Sequence, residues 1–288
     1  MNMSDILKVN GLTKSYPGFK LNKVSFSLPH GSIMGFIGEN GAGKTTTLKA
    51  ILNLISKDSG EIKLFGLDNI RDEKEIKQQI GVVFDESCFH DTLSLKNISS
   101  IMGNIYSNWD DRLFDSYVKN FKLPKDKTVK QFSRGMKMKL CIAAALAHHP
   151  KLLILDEATS GLDPVVREEI LDIFLDFIQD EEHSILLSSH ITSDLDKIAD
   201  YITFIHEGEI VFSKAKDELV DSMGVLKCGL NDFEKLDPAQ IVRYRKSQFG
   251  YEVLIGDKTG FVSRNRDCIV DPVSIEEIML FYVRGRMK

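Results

Sequence analysis

The segment that most constrains this sequence is Gly-Glu-Asn-Gly-Ala-Gly-Lys-Thr, at positions 38–45. It matches the phosphate-loop pattern GxxxxGK[ST], and it lies between an apolar run at 32–37 and an amphipathic segment at 44–55. Glycines let such a loop fold tightly with its backbone N–H groups pointing inward, and the helix that follows presents its positive end to the same phosphates. We therefore predict a strand, a nucleotide-binding loop and a helix, with Lys44 reaching the β- and γ-phosphates and Thr45 offering its hydroxyl to Mg²⁺. The predicted binding residues of the loop are Gly38, Glu39, Asn40, Gly41, Ala42, Gly43, Lys44, Thr45 and Thr46.

A second segment supplies the carboxylates that such a site needs. Residues 152–155 are all apolar, as is typical of a strand in the centre of a covered parallel sheet, and Asp156 and Glu157 follow directly. We predict that Asp156 binds Mg²⁺ through water and that Glu157 polarises the attacking water as a general base. The plain alternative is two charges that only end a strand, and the phosphate loop in the same chain argues against it.

Composition excludes several classes of protein. With 43% hydrophobic and 27% charged residues the chain has the balance of an ordinary globular protein, and its net charge of -5 predicts no nucleic-acid partner. The first nine residues do not resemble a signal peptide, and no uninterrupted apolar run of about 18 residues occurs, so any membrane role is expected to come through a partner. Zinc and redox motifs are not predicted, and a reducing compartment is, because no CxxC pair occurs among Cys88, Cys141, Cys228 and Cys268.

Strands alternate with helices along residues 1–216, which predicts an α/β domain with a parallel, doubly wound core sheet. The opening segment, 6–26, is predicted to form an antiparallel β region with a turn at Pro17. Residues 86–150 interrupt the alternation and are predicted to form a helical subdomain, with a helical pattern across 92–123.

The pattern changes after residue 216, and 217–288 is predicted to be a small α+β appendage. A final helix is expected to begin at Ser274, where Glu277 completes a capping box. The predicted strands of the appendage are 225–230, 251–255 and 259–264.

Four further segments carry a family resemblance. Residues 132–136, Phe-Ser-Arg-Gly-Met, precede the second segment at the spacing of the ABC signature, and residues 160–163, Ser-Gly-Leu-Asp, follow it as the D-loop does. His190 comes after an apolar strand in the place of the switch histidine, and Tyr16 lies ahead of the phosphate loop, where the family stacks an aromatic ring on adenine. Alone, each of these two side chains would more often be structural. In this order, residues 5–216 resemble the ATPase of an ABC transporter.

The resemblance implies ATP as the nucleotide, Mg²⁺ as the metal, and ATP hydrolysis as the activity. It implies catalytic roles for Glu157, His190 and Lys44. Two ATPase domains would meet head to tail as a homo- or heterodimer, each ATP lying between the phosphate loop of one and the signature of the other. In that dimer the residues contributed from the opposite side would be Ser133, Gly135 and Asp163.

The sequence also departs from the family pattern. Asp85 occupies the position of the Q-loop glutamine; a carboxylate there can still accept from a metal-bound water, so it is kept among the predicted nucleotide and metal residues. In the signature, Arg134 replaces the first glycine and Met136 replaces the glutamine. The signature and the segment 271–278 resemble bacterial exporters of drugs, bacteriocins or lipids more than nutrient importers.

The leading interpretation is therefore a transporter motor. It would be cytoplasmic, bound peripherally at the inner face of the cell membrane, and coupled to an integral membrane permease that is a separate chain. One alternative is an ABC ATPase acting on ribosomes or DNA, although only one phosphate loop and one signature occur here. Another is a regulatory protein that binds ATP without turnover, which the presence of Glu157 and His190 argues against.

Overall fold

The computed structural model describes residues 5–85, 89–248, 250–265 and 268–288. Within them the strands are β1 (Asp5–Tyr16), β2 (Phe19–Pro29), β3 (Ile33–Ile37), β4 (Ser59–Leu64), β5 (Leu67–Asp68), β6 (Ile80–Val83), β7 (Leu152–Asp156), β8 (Ser184–Ser189), β9 (Tyr201–His206), β10 (Glu209–Ala215), β11 (Gly224–Cys228), β12 (Ile241–Ser247), β13 (Gly250–Ile255) and β14 (Val270–Asp271). The helices are α1 (Lys44–Ile51), α2 (Glu73–Gln79), α3 (Leu95–Ile105), α4 (Asp111–Asn120), α5 (Arg134–Leu146), α6 (Pro164–Phe177), α7 (Thr192–Ile198), α8 (Lys216–Ser222), α9 (Leu230–Lys235), α10 (Lys258–Arg264) and α11 (Ile275–Arg284).

A six-stranded sheet in the order β10-β9-β3-β8-β7-β6 forms the centre of the molecule. All of its pairings are parallel except that of β10 with β9. Strands β3, β7 and β8 are buried along their whole length. This burial explains why β3 and β7 are apolar up to Asp156, and why the centre of β8, residues 185–187, is apolar. The predicted parallel core is confirmed, and the carboxyl ends of its strands meet at one edge.

An antiparallel sheet in the order β2-β1-β4-β5 lies beside this core. The predicted hairpin turns between Tyr16 and Phe19, which face each other across the two strands. Leu48 of α1 belongs to one buried cluster with Leu12 and Leu21 of this sheet and with Phe36 of the central sheet. Helix α1 is therefore held from both sides, which fixes the position of its first turn.

The helical subdomain is present, and the segment predicted to be helical, 92–123, is not one continuous helix. It is two helices, α3 and α4, because Asp110 caps a new start by accepting hydrogen bonds from Arg112 N and Leu113 N. Phe114 and Val118 of α4 pack with Leu140 of α5 in a separate buried cluster. Helix α5 thereby joins the subdomain to the rest of the molecule. Residues 86–88, at its predicted beginning, lie outside the described residues.

Residues beyond 216 form an antiparallel sheet, β12-β13-β11-β14, flanked by short helices. The predicted final helix and its Ser274–Glu277 capping box are confirmed. The predicted strand at 259–264 is wrong: Asp257 accepts from Gly260 N at 2.9 Å and starts α10, whose Phe261 is buried. Strand β12, which pairs with β13, was not predicted.

The C-terminal region shares a hydrophobic core with the ATPase part. Ile278 and Phe281 of α11 belong to the same buried cluster as Leu195 and Ile198 of α7. Phe204 of β9 also contacts Tyr282, with ring centroids 5.9 Å apart. The division at residue 216 thus stays a prediction about sequence organisation, since the packing is continuous across it.

Two further observations concern the described residues. None of their helices combines the length and the apolar character needed to cross a bilayer. Their three cysteines, Cys141, Cys228 and Cys268, are not in disulfides, and Cys88 lies outside the described part of the chain.

Candidate nucleotide-binding site

The loop between β3 and α1 is pressed against its neighbours in a way that only glycine permits. Gly43 precedes α1 with φ +112°, and a Cβ atom there would lie 2.5 Å from Leu21 Cδ2. A Cβ atom at Gly38 would lie 2.4 Å from the carbonyl oxygen of Ile205. The backbone at Gly41 also has a positive φ, +85°, but with no atom near its Cβ direction. The predicted strand–loop–helix is confirmed, although the helix ends at Ile51 and not at residue 55.

Lys44 folds back across this loop. Its side chain is only 6% exposed, and Nζ donates to the carbonyl oxygen of Gly38 at 2.8 Å. The same Nζ lies 3.4 Å from Glu157 Oε1, so the buried charge is paired. The ammonium group is held at the loop, where phosphate oxygens would displace or join its present acceptors.

Thr45 and Asp156 form the part of the site that suits a cation. Thr45 Oγ1 donates to Asp156 Oδ2 at 2.8 Å, and Asp156 is 5% exposed at the end of β7. Its other oxygen, Oδ1, is buried and has no hydrogen-bond partner among the described residues. An orphaned buried carboxylate oxygen costs free energy unless a cation or water meets it. A hydroxyl and a carboxylate are ligands that Mg²⁺ accepts, together with phosphate oxygens and water. The donor set therefore fits the predicted Mg²⁺.

Glu157 and His190 meet at the ends of two adjacent parallel strands. Glu157 follows β7 with φ +54°, and its backbone N donates to the carbonyl oxygen of Ser188 at 2.9 Å. His190 follows β8, and its Nδ1 lies 2.5 Å from Glu157 Oε2. Because Oε1 faces Lys44, one carboxylate bridges the phosphate loop and the histidine. A left-handed backbone at a glutamate is uncommon and is typical of functional positions.

Most of these groups line one open cleft of about 690 Å³. Ten predicted residues line it: Glu39, Asn40, Gly41, Gly43, Lys44, Thr45, Thr46, Asp85, Glu157 and His190. Gly38, Ala42 and Asp156 do not line the cleft, and Asp156 lies behind Thr45, from which it accepts its hydrogen bond. Three other residues line the cleft without having been predicted to contact the nucleotide: Gly18 and Phe19 at the hairpin turn, and Ser160 of the D-loop. The sequence gives one indication of these positions: Gly18 and Phe19 lie at the hairpin turn, and Ser160 follows closely after Glu157.

Tyr16 lies at the end of β1 opposite Phe19 and is 43% exposed. Lys14 Nζ lies 5.4 Å from the centre of its ring. Phe19, not Tyr16, lines the cleft as it stands. The role of Tyr16 as an adenine platform stays a prediction.

The predicted signature residues Ser133 and Gly135, and Asp163 of the D-loop, lie outside the cleft lining. Ser133 caps α5 by accepting from Met136 N at 3.2 Å, and a Cβ at Gly135 would meet Val166 Cγ1 at 3.3 Å. Asp163 caps α6 by accepting from Val166 N at 3.1 Å. Each residue thus has a local structural role, and the predicted contact of these residues with an opposite nucleotide stays a prediction.

His148 and His149 follow the end of α5, and each contacts a neighbouring residue. His148 is buried, its Nε2 lies 3.0 Å from the carbonyl oxygen of Ile80, and Tyr106 stacks on its ring. Burial lowers the pKa of His148 below the ordinary histidine value. His149 faces Asp110 at 3.6 Å. In the described part of the chain no three His, Cys, Asp or Glu side chains gather as a metal cluster.

Comparison with known proteins decides the family. Residues 21–160 match the family profile described as "ABC transporter". The bacitracin transport ATP-binding protein BcrA of Bacillus licheniformis is 37% identical over 212 residues, 73% of this chain and 69% of that protein. The lantibiotic transport ATP-binding protein SrtF of Streptococcus pyogenes is 38% identical over 217 residues, 74% of this chain and 92% of that protein. This chain belongs to the ABC transporter ATP-binding family.

A solved structure described as the ATP binding subunit of an ABC transporter superposes on this ABC subunit with a TM-score of 0.68. It is 25% identical and covers 75% of this chain and 92% of its own. As a member of the family, the ABC subunit binds and hydrolyses ATP for transport. Subunits of this kind dimerise and work with membrane permease subunits.

Proposed function

We propose that this ABC subunit is the motor of an exporter, coupled to a separate integral membrane permease at the cytoplasmic face of the membrane. Two ATPase domains close head to tail on two molecules of Mg²⁺–ATP, and hydrolysis lets them part. The observation that carries the proposal is that Lys44, Glu157 and His190 line one cleft, and that Asp156 accepts a hydrogen bond from Thr45 in its wall. Export is supported by the relatives named for bacitracin and lantibiotic transport.

The residues of the cleft divide the chemistry among them. Lys44 is held where it stabilises charge on the transferring phosphoryl group, and backbone N–H groups at the start of α1 face the same phosphates. Glu157 orients water and accepts its proton, while His190 holds the second carboxylate oxygen and so fixes the side chain. Thr45 and Asp156 would hold Mg²⁺, which when bound neutralises charge on the phosphate oxygens.

The position of the signature residues supports the head-to-tail dimer. Ser133 and Gly135 carry the signature, yet neither lines the cleft of its own chain. The first turn of α5 behind Ser133 offers backbone N–H groups to an anion. A second domain turned head to tail would bring its own Ser133 to this open side of the cleft.

Mixing two inactive variants tests this arrangement. Lys44→Ala removes the phosphate-loop cation, and Ser133→Arg blocks the signature. Co-expressed with different tags, they form mixed dimers in which one site combines intact Lys44 with intact Ser133. Recovery of about a quarter of wild-type hydrolysis is expected, because half of the dimers are mixed and each holds one intact site of two.

The matched control pairs Lys44→Ala with Glu157→Gln, two lesions on the same side of the proposed interface. No mixed dimer then holds an intact site, so no recovery is expected. Equal recovery in both mixtures, or none in the first, would rule out the head-to-tail site. Retained ATP binding by Ser133→Arg shows that this variant is folded.

Purification of the tagged subunit from detergent-solubilised native membranes tests the coupling to a permease. A polytopic membrane protein in near one-to-one ratio is the expected result. Recovery from the soluble fraction with ribosomes or nucleic acid would overturn the transporter motor and leave the ATPase standing.

A further inference from the structure

Two of the positions at which the sequence departs from its family pattern, Asp85 and Arg134, contact each other. Asp85 follows β6 at the edge of the central sheet, and Arg134 begins α5. Arg134 Nη2 lies 2.5 Å from Asp85 Oδ1, and each side chain is about half exposed. The ion pair joins the edge of the nucleotide cleft to the helix that carries the signature.

Asp85 is shared between two cavities. On one side it lines the 690 Å³ cleft with Lys44, Thr45 and Glu157. On the other it lines a cavity of about 240 Å³ with Arg134. The Asp85 carboxylate is therefore paired with Arg134 on the side away from the phosphate loop. The same carboxylate also faces the cleft beside that loop.

A second contact fixes the guanidinium. A Cβ atom at Gly161 would lie 2.6 Å from Arg134 Nη1, so the planar group rests against the backbone of the loop that follows Glu157. Gly161 also has φ +65°, a conformation that favours glycine. A planar guanidinium placed in this way loses little further freedom when it binds a carboxylate.

We propose that Arg134 is a positioning residue that holds Asp85 in the resting chain, so that Mg²⁺–ATP has to compete with Arg134 for this carboxylate. The proposal rests on the assignment of the cleft to Mg²⁺–ATP made above. A carboxylate neutralised by a guanidinium accepts more weakly from a metal-bound water. Closing the site therefore requires Asp85 to turn from the signature helix towards the nucleotide, which ties occupancy of the cleft to the freedom of α5.

The test measures the binding of a fluorescent ATP analogue, once with Mg²⁺ and once with EDTA, in a Glu157→Gln background that prevents turnover. The quantity compared is the ratio of the two dissociation constants, with Mg²⁺ and with EDTA. Loss of a positive charge changes both constants, and the ratio removes that shared effect. For Arg134→Gln we expect this ratio to favour Mg²⁺ by about two- to fivefold over the parent, the scale of a half-exposed ion pair. In an Asp85→Asn background the same substitution is expected to leave the ratio unchanged.

Lys137→Gln is the matched control. Lys137 lies one turn further along α5, lines the same small cavity and pairs with Asp91 at 3.0 Å. The Lys137→Gln substitution removes one positive charge from the same helix, as Arg134→Gln does, but leaves the contact with Asp85 in place. The ratio of its two dissociation constants should therefore stay at the parent value.

An unchanged ratio in Arg134→Gln, or an equal shift with and without Asp85, would overturn the proposal. Arg134→Lys covers the case in which the glutamine variant fails to fold: it keeps the charge but loses the planar group that rests against Gly161, so a smaller shift of the ratio in the same direction is expected. Failure of the parent to bind the analogue under either condition would instead refute the nucleotide site itself. The two failures are therefore distinguishable.

Discussion

Replacing Glu157 by Gln keeps the shape of the side chain and removes the group that accepts the proton. The carboxylate contacts Lys44 at 3.4 Å and His190 at 2.5 Å. Glutamine can accept from one of them through its amide oxygen. Exchanging a charge-assisted hydrogen bond for a neutral one costs about 1 kcal/mol, which is small against a stability of roughly 5–15 kcal/mol. The variant should therefore fold.

Hydrolysis by Glu157→Gln should fall by about 10²–10⁴-fold, or roughly 3–5.5 kcal/mol in the barrier, because that is the contribution of a positioned base. ATP binding should be equal or tighter, since a negative charge beside Lys44 is removed. Single-turnover phosphate release measures the first quantity and fluorescence of a labelled nucleotide the second.

The control is Glu182→Gln, which removes an exposed carboxylate paired with Lys151 at 3.2 Å and should change neither quantity. A loss of hydrolysis of less than about tenfold with intact binding would refute the role of Glu157 as the base. Loss of binding would refute the argument that its two contacts are dispensable for the nucleotide.

Three further predictions follow from burial and backbone geometry. Gly43→Ala should weaken ATP binding at least about tenfold because it combines a forbidden φ with a clash. Gly41→Ala, strained but free of clashes, should lose less affinity. Equal losses of affinity in the two variants would refute the steric argument. Phe281→Ala should lower the free energy of unfolding by about 3–5 kcal/mol in urea titrations, whereas the exposed Ile269→Ala should stay within about 0.5 kcal/mol. Burial lowers the pKa of His148, so the unfolded chain binds its proton at higher pH, and stability is lost as pH falls below the ordinary histidine value. The melting temperature of His148→Gln should therefore drop less between pH 7 and pH 5 than that of the parent, and an identical drop would contradict the assignment.

Local patterns predicted the parts of the site that depend on local backbone. The phosphate loop, and Asp156 and Glu157 at a strand end, follow from spacing, strand character and glycine chemistry. The Asp85–Arg134 pair does not, because its members are 49 positions apart and meet only when α5 packs beside β6. Phe19 entered the cleft lining for a similar reason: the hairpin carries it there.

The C-terminal region shows why the remaining elements were missed. Strand β12 includes Arg243 and Arg245, which indicate a solvated surface in the sequence. In the structure their guanidinium groups lie over the rings of Tyr282 and Phe281, at 5.6 Å and 4.5 Å. Long basic side chains can cover apolar surface with their aliphatic stems. The two arginines therefore made β12, a strand that packs on α11, hard to recognise from its sequence.

The shared core of α7 and α11 has a consequence for the order of folding. Helix α7 begins two residues after His190, and its buried face is completed by Ile278 and Phe281. During synthesis the phosphate loop and the central strands emerge first, but the apolar face of α7 is only partly covered until residues 275–284 have been made. We therefore expect the histidine edge of the site to be the last part of the nucleotide cleft to become rigid. A nascent chain halted before α11 would expose that apolar face to chaperones or to aggregation.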